Sequence, residues 1–381
     1  MAWARNILIC VCVLGLGCVM AYGAQIRKKL SHLKSLCVQL EKKVHVQMLE
    51  GLPVELSSIP FGEKDGLVLG SMTVPIRGGI YPYNAAIINN DRDGYFLFFR
   101  YDELHFRKNN GFTSYIGCAE LDCQFQQTDK EFVTIDTGGM SAEDPRVLEK
   151  NGKLFLVYND LITKNHYTNR LICMGELDLT QFSLKTVNVF DPGLQPIEKN
   201  WSPFVYGNQS EDPHIYFEYS ISSRHFFKVA NNHGGATLFP ILPIASEPRH
   251  PYWPKAWGEV RGGTAAQKVG DQYLSFFHSS FKDKNRLTWY CMGAYTFEAV
   301  PPFRLTGISH YPILFNHIYE TPPMNTADPL KRVIFPCGFA LGKKDGKDVI
   351  YLSCGENDSA VKIVTLDKDV LLKGLKKIHL D

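Results

Sequence analysis

Polar and apolar residues follow two different rhythms along this chain, and the change between them falls near Gly51. From Ile26 to Met48 the apolar positions Ile26, Leu30, Leu33, Cys37, Leu40 and Val44 advance by alternating steps of three and four, with lysines among them. That spacing predicts one amphipathic helix over about 26–50, either a stalk with a short coiled coil or an element packed on the body. Beyond it a polar turn with Gly, Asp or Asn is followed, again and again, by an aromatic-rich apolar run. The copies RDGYFLFFR, KNGKLFLVYND, EDPHIYFEYS, VGDQYLSFFHSS and GKDVIYLSCGEND begin near positions 92, 150, 211, 269 and 346. A strand-rich repeat of about 60 residues suits a blade of four antiparallel strands. Five copies predict an all-β, five-bladed propeller over 51–381. A β-sandwich competes with it, because that fold also spaces strands and turns evenly. In a propeller, loops at one end of a central channel bring distant residues together, and function is sought there.

The first 25 residues carry a different signal. Asn6 to Gln25 contains no charged residue, and its core ILICVCVLGLGCVMA is apolar enough to enter a bilayer. Arg5 with Ala21 and Gly23 fits a cleaved signal peptide, whereas Arg27, Lys28 and Lys29 fit an uncleaved anchor with the following side retained inside. Residues 1–25 are therefore expected to be a signal peptide or a membrane anchor. The protein is placed on a membrane or in a secreted or lumenal space, with topology open and the oligomeric state unread.

Composition narrows the partners. Of 381 residues, 45% are apolar, enough for a large core, and the net charge of +2 provides no field for nucleic acid. Beyond Cys10, Cys12 and Cys18 the cysteines include no CxxC pair, so neither a metal site nor a disulfide framework is expected. Cys337 and Cys354 read either as facing partners or as two buried thiols.

The polar clusters ahead of the repeats carry the candidate chemistry. In EDPR, Asp144 precedes Pro145, which predicts an extended Asp144 and an aimed carboxylate. The plain alternative is an Asp-Pro turn with a surface ion pair to Arg146. Asn84 precedes the first copy, Lys199 and Asn200 precede another in KNWSPF, Arg261 and His278 flank the fourth, and Glu356 and Asp358 close the fifth. Each has a plain reading too: Lys199 as a solvated loop charge, Arg261 as a partner of Glu259, and His278 as a hydrogen-bonding core residue. The second acidic run, Glu211-Asp212-Pro213-His214, lacks the arginine and reads as a turn. Sequons at Asn208 and Asn357 matter only in a secretory lumen.

Taken in order, NAA…DGYFLFFR, EDPRV…NGKLFLVYND, KNWSPF, GGT…YLSFFHSS, VIFPCG and YLSCGENDSAVKI resemble glycoside hydrolase family 130, the β-mannoside phosphorylases, mannosidases and related mannosyltransferases. The resemblance runs from about position 60 to the C-terminus, with EDPR its most specific part. It implies a five-bladed propeller and inversion at the anomeric carbon, with Asp144 as proton donor acting through a substrate hydroxyl. It further implies Asn84, Arg100, Arg146, Asp358 and His278 as substrate-binding residues, Arg146 by holding Asp144 in place and biasing its charge, and Lys199, Asn200 and Arg261 as the holders of phosphate. No cofactor is expected, only inorganic phosphate or a sugar phosphate as co-substrate, and the partner is an oligosaccharide or glycan. Two departures stand out: Lys199 where the family usually carries arginine, and FFHSS where it carries a tyrosine-histidine-glycine run. To donate a proton near neutrality, Asp144 is expected to have a raised pKa. A phosphate-independent β-mannosidase would instead need a second carboxylate, Glu143 or Glu356. A glycan-binding propeller without chemistry would use Trp201, Trp253 and Trp257 as platforms.

Overall fold

In the computed structural model, each of the five turn-and-aromatic copies forms the second strand of a separate antiparallel sheet. The structure describes residues 52–104, 112–164, 166–207, 212–232, 235–241, 253–323 and 331–378. The hydrophobic segment 1–25 and the helix expected over 26–50 lie outside the described residues, as does Asn208. Among those described, no helix is long and apolar enough to cross a membrane.

The first sheet runs Tyr83–Asn89, Tyr95–Leu104, Phe112–Leu121, Val133–Thr134, and the second Glu143–Lys150, Lys153–Lys164, Tyr167–Asp178, Ser183–Phe190. The third is Ser202–Tyr206, His214–Ser220, His225–Asn232, Gly235–Ile241. In the fourth, Arg261–Gly262 pairs with Gln272–Lys282, followed by Thr288–Glu298, Leu305–Ile308 and the C-terminal Lys376–Lys377. The fifth joins Ile334–Lys344, Lys347–Glu356 and Ala360–Asp367 to the N-terminal strand Val68–Thr73. That last pairing joins the first described strand to the fifth sheet and covers an edge that would otherwise be open. The first strands of the first, second, third and fifth sheets touch across a common axis, and the fourth sheet packs against the fifth. The result is an all-β, propeller-like ring, not a two-layer sandwich.

The sequence pattern has a direct physical cause here. Asn151-Gly152 and Asp345-Gly346 both adopt left-handed conformations (φ 53° and 73°; 52° and 78°), the pair a tight hairpin needs between first and second strands. The second strands then read as continuous apolar runs because both of their faces are buried. Leu97 and Phe99 pack with Val349, Tyr351 and Ile363 of the fifth sheet, whereas Phe98 between them packs with Leu156 and Tyr158 of the second. One sheet later the same alternation recurs: Leu156 and Tyr158 face the first sheet, and Val157 joins Trp201, Phe217 and Phe227 of the third. Alternate residues thus serve alternate neighbours.

This packing overturns one expectation. Trp201, Trp253 and Trp257 are 1%, 6% and 6% exposed, so they are core residues and not glycan platforms. Trp201 stacks on Phe227, and Trp253 lies edge-on to Phe277 and Trp257. Cys337 and Cys354 are buried free thiols. Asp212, exposed just ahead of the strand His214–Ser220, is held by Asn151 Nδ2 at 2.7 Å and Lys150 at 3.5 Å, while Glu211 lies outside the described residues.

Candidate active site

Asn84, Asp144 and Asn200 open the first strands of three consecutive sheets, and all three are left-handed, with φ of 46°, 54° and 65°. The strand register shifts at Tyr83/Ala86 and again at Glu143/Arg146, so both openings are β-bulges that turn a side chain out of the ladder. Asp144 is therefore not extended, as Pro145 predicted. Asx side chains tolerate this conformation best, at a cost of about 1–3 kcal/mol that the surrounding bonds must offset. Glycines make room beside two of these openings: a Cβ on Gly355 would stand 2.1 Å from Asn84 Oδ1, and one on Gly262 2.2 Å from the Asn200 carbonyl.

The turned residues meet at one polar centre. Asp144, 5% exposed, accepts a hydrogen bond from Asn84 Nδ2 at 2.8 Å and lies 3.5 Å from Arg100 Nη1. Arg100 also reaches Glu143 at 3.1 Å and Asp102 at 3.2 Å, and lies over the Tyr83 ring. Asp102 is fixed in turn by the hydroxyls of Tyr83 and Ser114, each at 2.6 Å. Glu143 is a hub for three cations: Arg100 and Arg170 (3.0 Å) on Oε1 and Lys199 (2.7 Å) on Oε2. Glu143 is thus a clamp rather than a free base.

Burial alone would push the Asp144 carboxyl up. Arg100, then Lys199 and Arg146, together with the Asn84 hydrogen bond, outweigh it and bring it down to about 2. The raised value expected for a proton donor is not found, and Asp144 is held as an anion. Asp358 goes the other way. It is half-buried, in the left-handed Asn357–Asp358 turn, and burial with the nearby Asp144 charge lifts its carboxyl to about 6 against the opposing pull of Arg100.

Two residues expected to bind substrate lie beneath the site instead. Arg146 is 2% exposed and donates to the carbonyls of Asp144 (3.0 Å), Gly263 (2.5 Å) and Gly262 (3.5 Å). It holds the Asp144 main chain, in keeping with the positioning expected of it, and ties the second sheet to the fourth, with its guanidinium spent on carbonyls rather than open to sugar. His278 is also 2% exposed, packed between Phe335 and Tyr290 with centroids at 4.3 and 5.9 Å. Burial first, then Arg146 and Arg261, push its imidazole down to about 3, so it is neutral. It is a core residue under the site.

Lys199, Asn200 and Arg261 do come together. They line one cavity of about 510 Å³ with Ile197, Glu198, Tyr219 and Glu259. Lys199 is half-buried and committed to Glu143; Arg261 is exposed and makes no ion pair with Glu259 or any other acid among the described residues. Glu356 is ruled out as a base: its carboxylate accepts from the main chain of Tyr319 (2.6 Å) and Thr321 (3.3 Å), from the Thr321 hydroxyl and from Lys362 (3.3 Å). The sequon residue Asn357 is buried too, with its amide bonded to the carbonyls of Tyr319 and Thr321.

Sequence reasoning missed Asp102 and Arg170. Asp102 follows Arg100 by two, on the same face of its strand, which was a usable signal. Arg170 lies in an unremarkable stretch, YTNRLIC, and only the folded chain brings it to Glu143.

No family model matches the chain, and no curated protein matches it. Solved structures do. The mannose phosphorylase MPT-4 of Leishmania mexicana, in complex with phosphate, matches with TM-score 0.51 at 12% identity, over 83% of this chain and 93% of that one. The β-1,2-mannobiose phosphorylase of Listeria innocua, with bound β-1,2-mannobiose, matches with TM-score 0.53 at 14% identity, over 82% and 98%. At these identities the likeness shows a shared fold: this chain is built like mannoside phosphorylases.

Proposed function

We propose that this chain is an inverting enzyme of glycosyl transfer, acting on a mannosyl group from a five-bladed propeller, with Asp144 exchanging the proton at the glycosidic oxygen. The observation that carries the reading is the buried Asp144 carboxylate, bulged out of its strand and under the charge of Lys199, which lines a cavity of about 510 Å³ with Asn200 and Arg261. The fold shared with mannoside phosphorylases supports the sugar class.

In the bond-making direction the Asp144 carboxylate takes the proton of an acceptor hydroxyl. The acceptor oxygen bonds to the anomeric carbon while a phosphate-bearing leaving group departs from the opposite face. Asn200 and Arg261, with Lys199, hold that phosphate. Asn84, Arg100 and Asp358 bind the sugar hydroxyls. The anionic resting state of Asp144 suits this direction. In reverse, Asp144 returns the proton, by way of a sugar hydroxyl, as phosphate attacks. A phosphate dianion beside Lys199 offsets one of the cations that keep the carboxyl low, so substrate binding itself raises the acidity range toward neutrality.

One observation favours phosphate-independent hydrolysis as a second reading. An inverting hydrolase needs a second carboxylate near neutrality, and Asp358, with its carboxyl at about 6, offers one where Glu143 and Glu356 do not. Product analysis separates the two. The full chain is incubated with β-mannobiose with and without phosphate, and with β-mannobiose plus mannose 1-phosphate or GDP-mannose. Chain extension or mannose 1-phosphate supports transfer; free mannose formed equally well without phosphate supports hydrolysis; no product in any arm ends the proposal.

A further inference from the structure

We infer that Arg170 is the positioning residue that sets the Glu143–Asp144 bulge and Lys199 in one geometry, by gripping the first with its side chain and the second with its main chain. This rests on the reading of Asp144 as the proton-exchanging group. Arg170 stands on the third strand of the second sheet, one strand removed from the neighbour of the bulge, and its side chain is only 11% exposed. Its guanidinium forks. Nη2 meets Glu143 Oε1 at 3.0 Å, while Nη1 donates to the Ser141 carbonyl at 2.9 Å and to Asn159 Oδ1 at 3.0 Å. Asn159 Nδ2 donates to the Glu143 carbonyl at 3.2 Å, so the same fork reaches the bulge through side chain and main chain together.

The main chain of Arg170 reaches the other side. Its N–H donates to the Pro196 carbonyl at 3.1 Å, and its own carbonyl accepts from the Glu198 N–H at 2.8 Å. Lys199 is the next residue, and its ammonium closes the ring on Glu143 Oε2 at 2.7 Å. A planar guanidinium suits this task, since its fixed donors hold two acceptors at once where an ammonium would hold a point. A charge elsewhere could balance Glu143, as Arg100 already does in part. Arg170 is bonded to both segments, to Glu143 and Ser141 by its side chain and to Pro196 and Glu198 by its main chain.

The test uses Arg170→Gln and Arg170→Lys in the full chain, with two readouts. In amide hydrogen exchange, Arg170→Gln is expected to speed exchange across 138–146 and leave 195–199 protected, because the main-chain bonds persist; unchanged exchange across 138–146 overturns the inference. In kinetics with aryl β-mannosides and phosphate, kcat falls by about 10²-fold for the phenyl mannoside with KM little changed. The loss shrinks to a few-fold for the dinitrophenyl mannoside, whose leaving group needs little proton donation, and Arg170→Lys falls between. Equal loss for both leaving groups overturns the positioning role. If Arg170→Gln does not fold, Arg170→Lys is judged by the same two measurements. If the wild type neither turns over a mannoside nor extends β-mannobiose from mannose 1-phosphate or GDP-mannose, the proposed function fails, and the exchange result still decides the anchoring.

Discussion

Replacing Asp144 with Asn keeps the shape of the side chain and an oxygen for Asn84, but removes the charge that Arg100 faces at 3.5 Å. The carboxyl is buried, and its environment lowers it from 3.8 to about 2. At about 1.36 kcal/mol per pKa unit, that shift is worth about 2 kcal/mol of folding stability at pH 7. The sign follows from the depressed value: the contribution is present above the unfolded pKa and is lost as pH falls through the folded one. The gap between wild type and Asp144→Asn is thus expected at about 2 kcal/mol at pH 7, nearly intact at pH 4, and about half as large at pH 3. Urea unfolding of both proteins at the three pH values measures it. A variant more stable than wild type at pH 7, or a gap already closed by pH 4, refutes the anionic resting site and restores a donor that keeps its proton.

Other consequences are direct. Trp201→Ala should cost about 3–5 kcal/mol of stability as a core truncation; a loss confined to sugar binding would return it to the platform role. Gly355→Ala places a Cβ 2.5 Å from the Asn84 main-chain nitrogen as well as against its side chain, so it should cut kcat by about 10²-fold and lower the melting temperature, and wild-type activity would contradict the close fit. The Asp358 carboxyl is raised, so its stabilising effect is present below the unfolded pKa and lost as pH rises through about 6. Asp358→Asn should therefore gain stability relative to wild type between pH 5 and pH 7.5, whereas a pH-independent difference would contradict the shift. Asn357 should carry no glycan when the chain is expressed in a secretory host, as intact mass would show; a glycan there would mean that the buried turn opens.

The repeat was legible because its cause is local. A turn that needs left-handed residues and a strand buried on both faces each leave a mark on the sequence, as Asn151-Gly152 and Phe98 show. The residues gathered at the axis were legible in part, since Asn84, Arg100, Asp144, Lys199, Asn200, Arg261 and Asp358 all sit in short polar runs ahead of or behind those strands. The direction in which each side chain points was not. Arg146 and Asp144 lie two apart in one motif, yet the bulge turns Asp144 to the axis and leaves Arg146 on the carbonyls of another sheet. The acidity of Asp144 was misjudged for a similar reason. Its neighbour Glu143 is close in sequence, but the cations that dominate arrive from Arg100 and Lys199, on other sheets and loops. Arg170 leaves no mark of its own, because its partners are set by strand pairing alone.

The central claim is that one protein carboxyl moves the proton in glycosyl transfer with inversion. It is tested most directly by following β-mannobiose and phosphate by proton and phosphorus NMR with wild type and Asp144→Asn. The account predicts α-mannose 1-phosphate as the first product of the wild type and a loss of at least about 10³-fold in the variant. A β-phosphate as first product, or a variant as fast as the wild type, would contradict it.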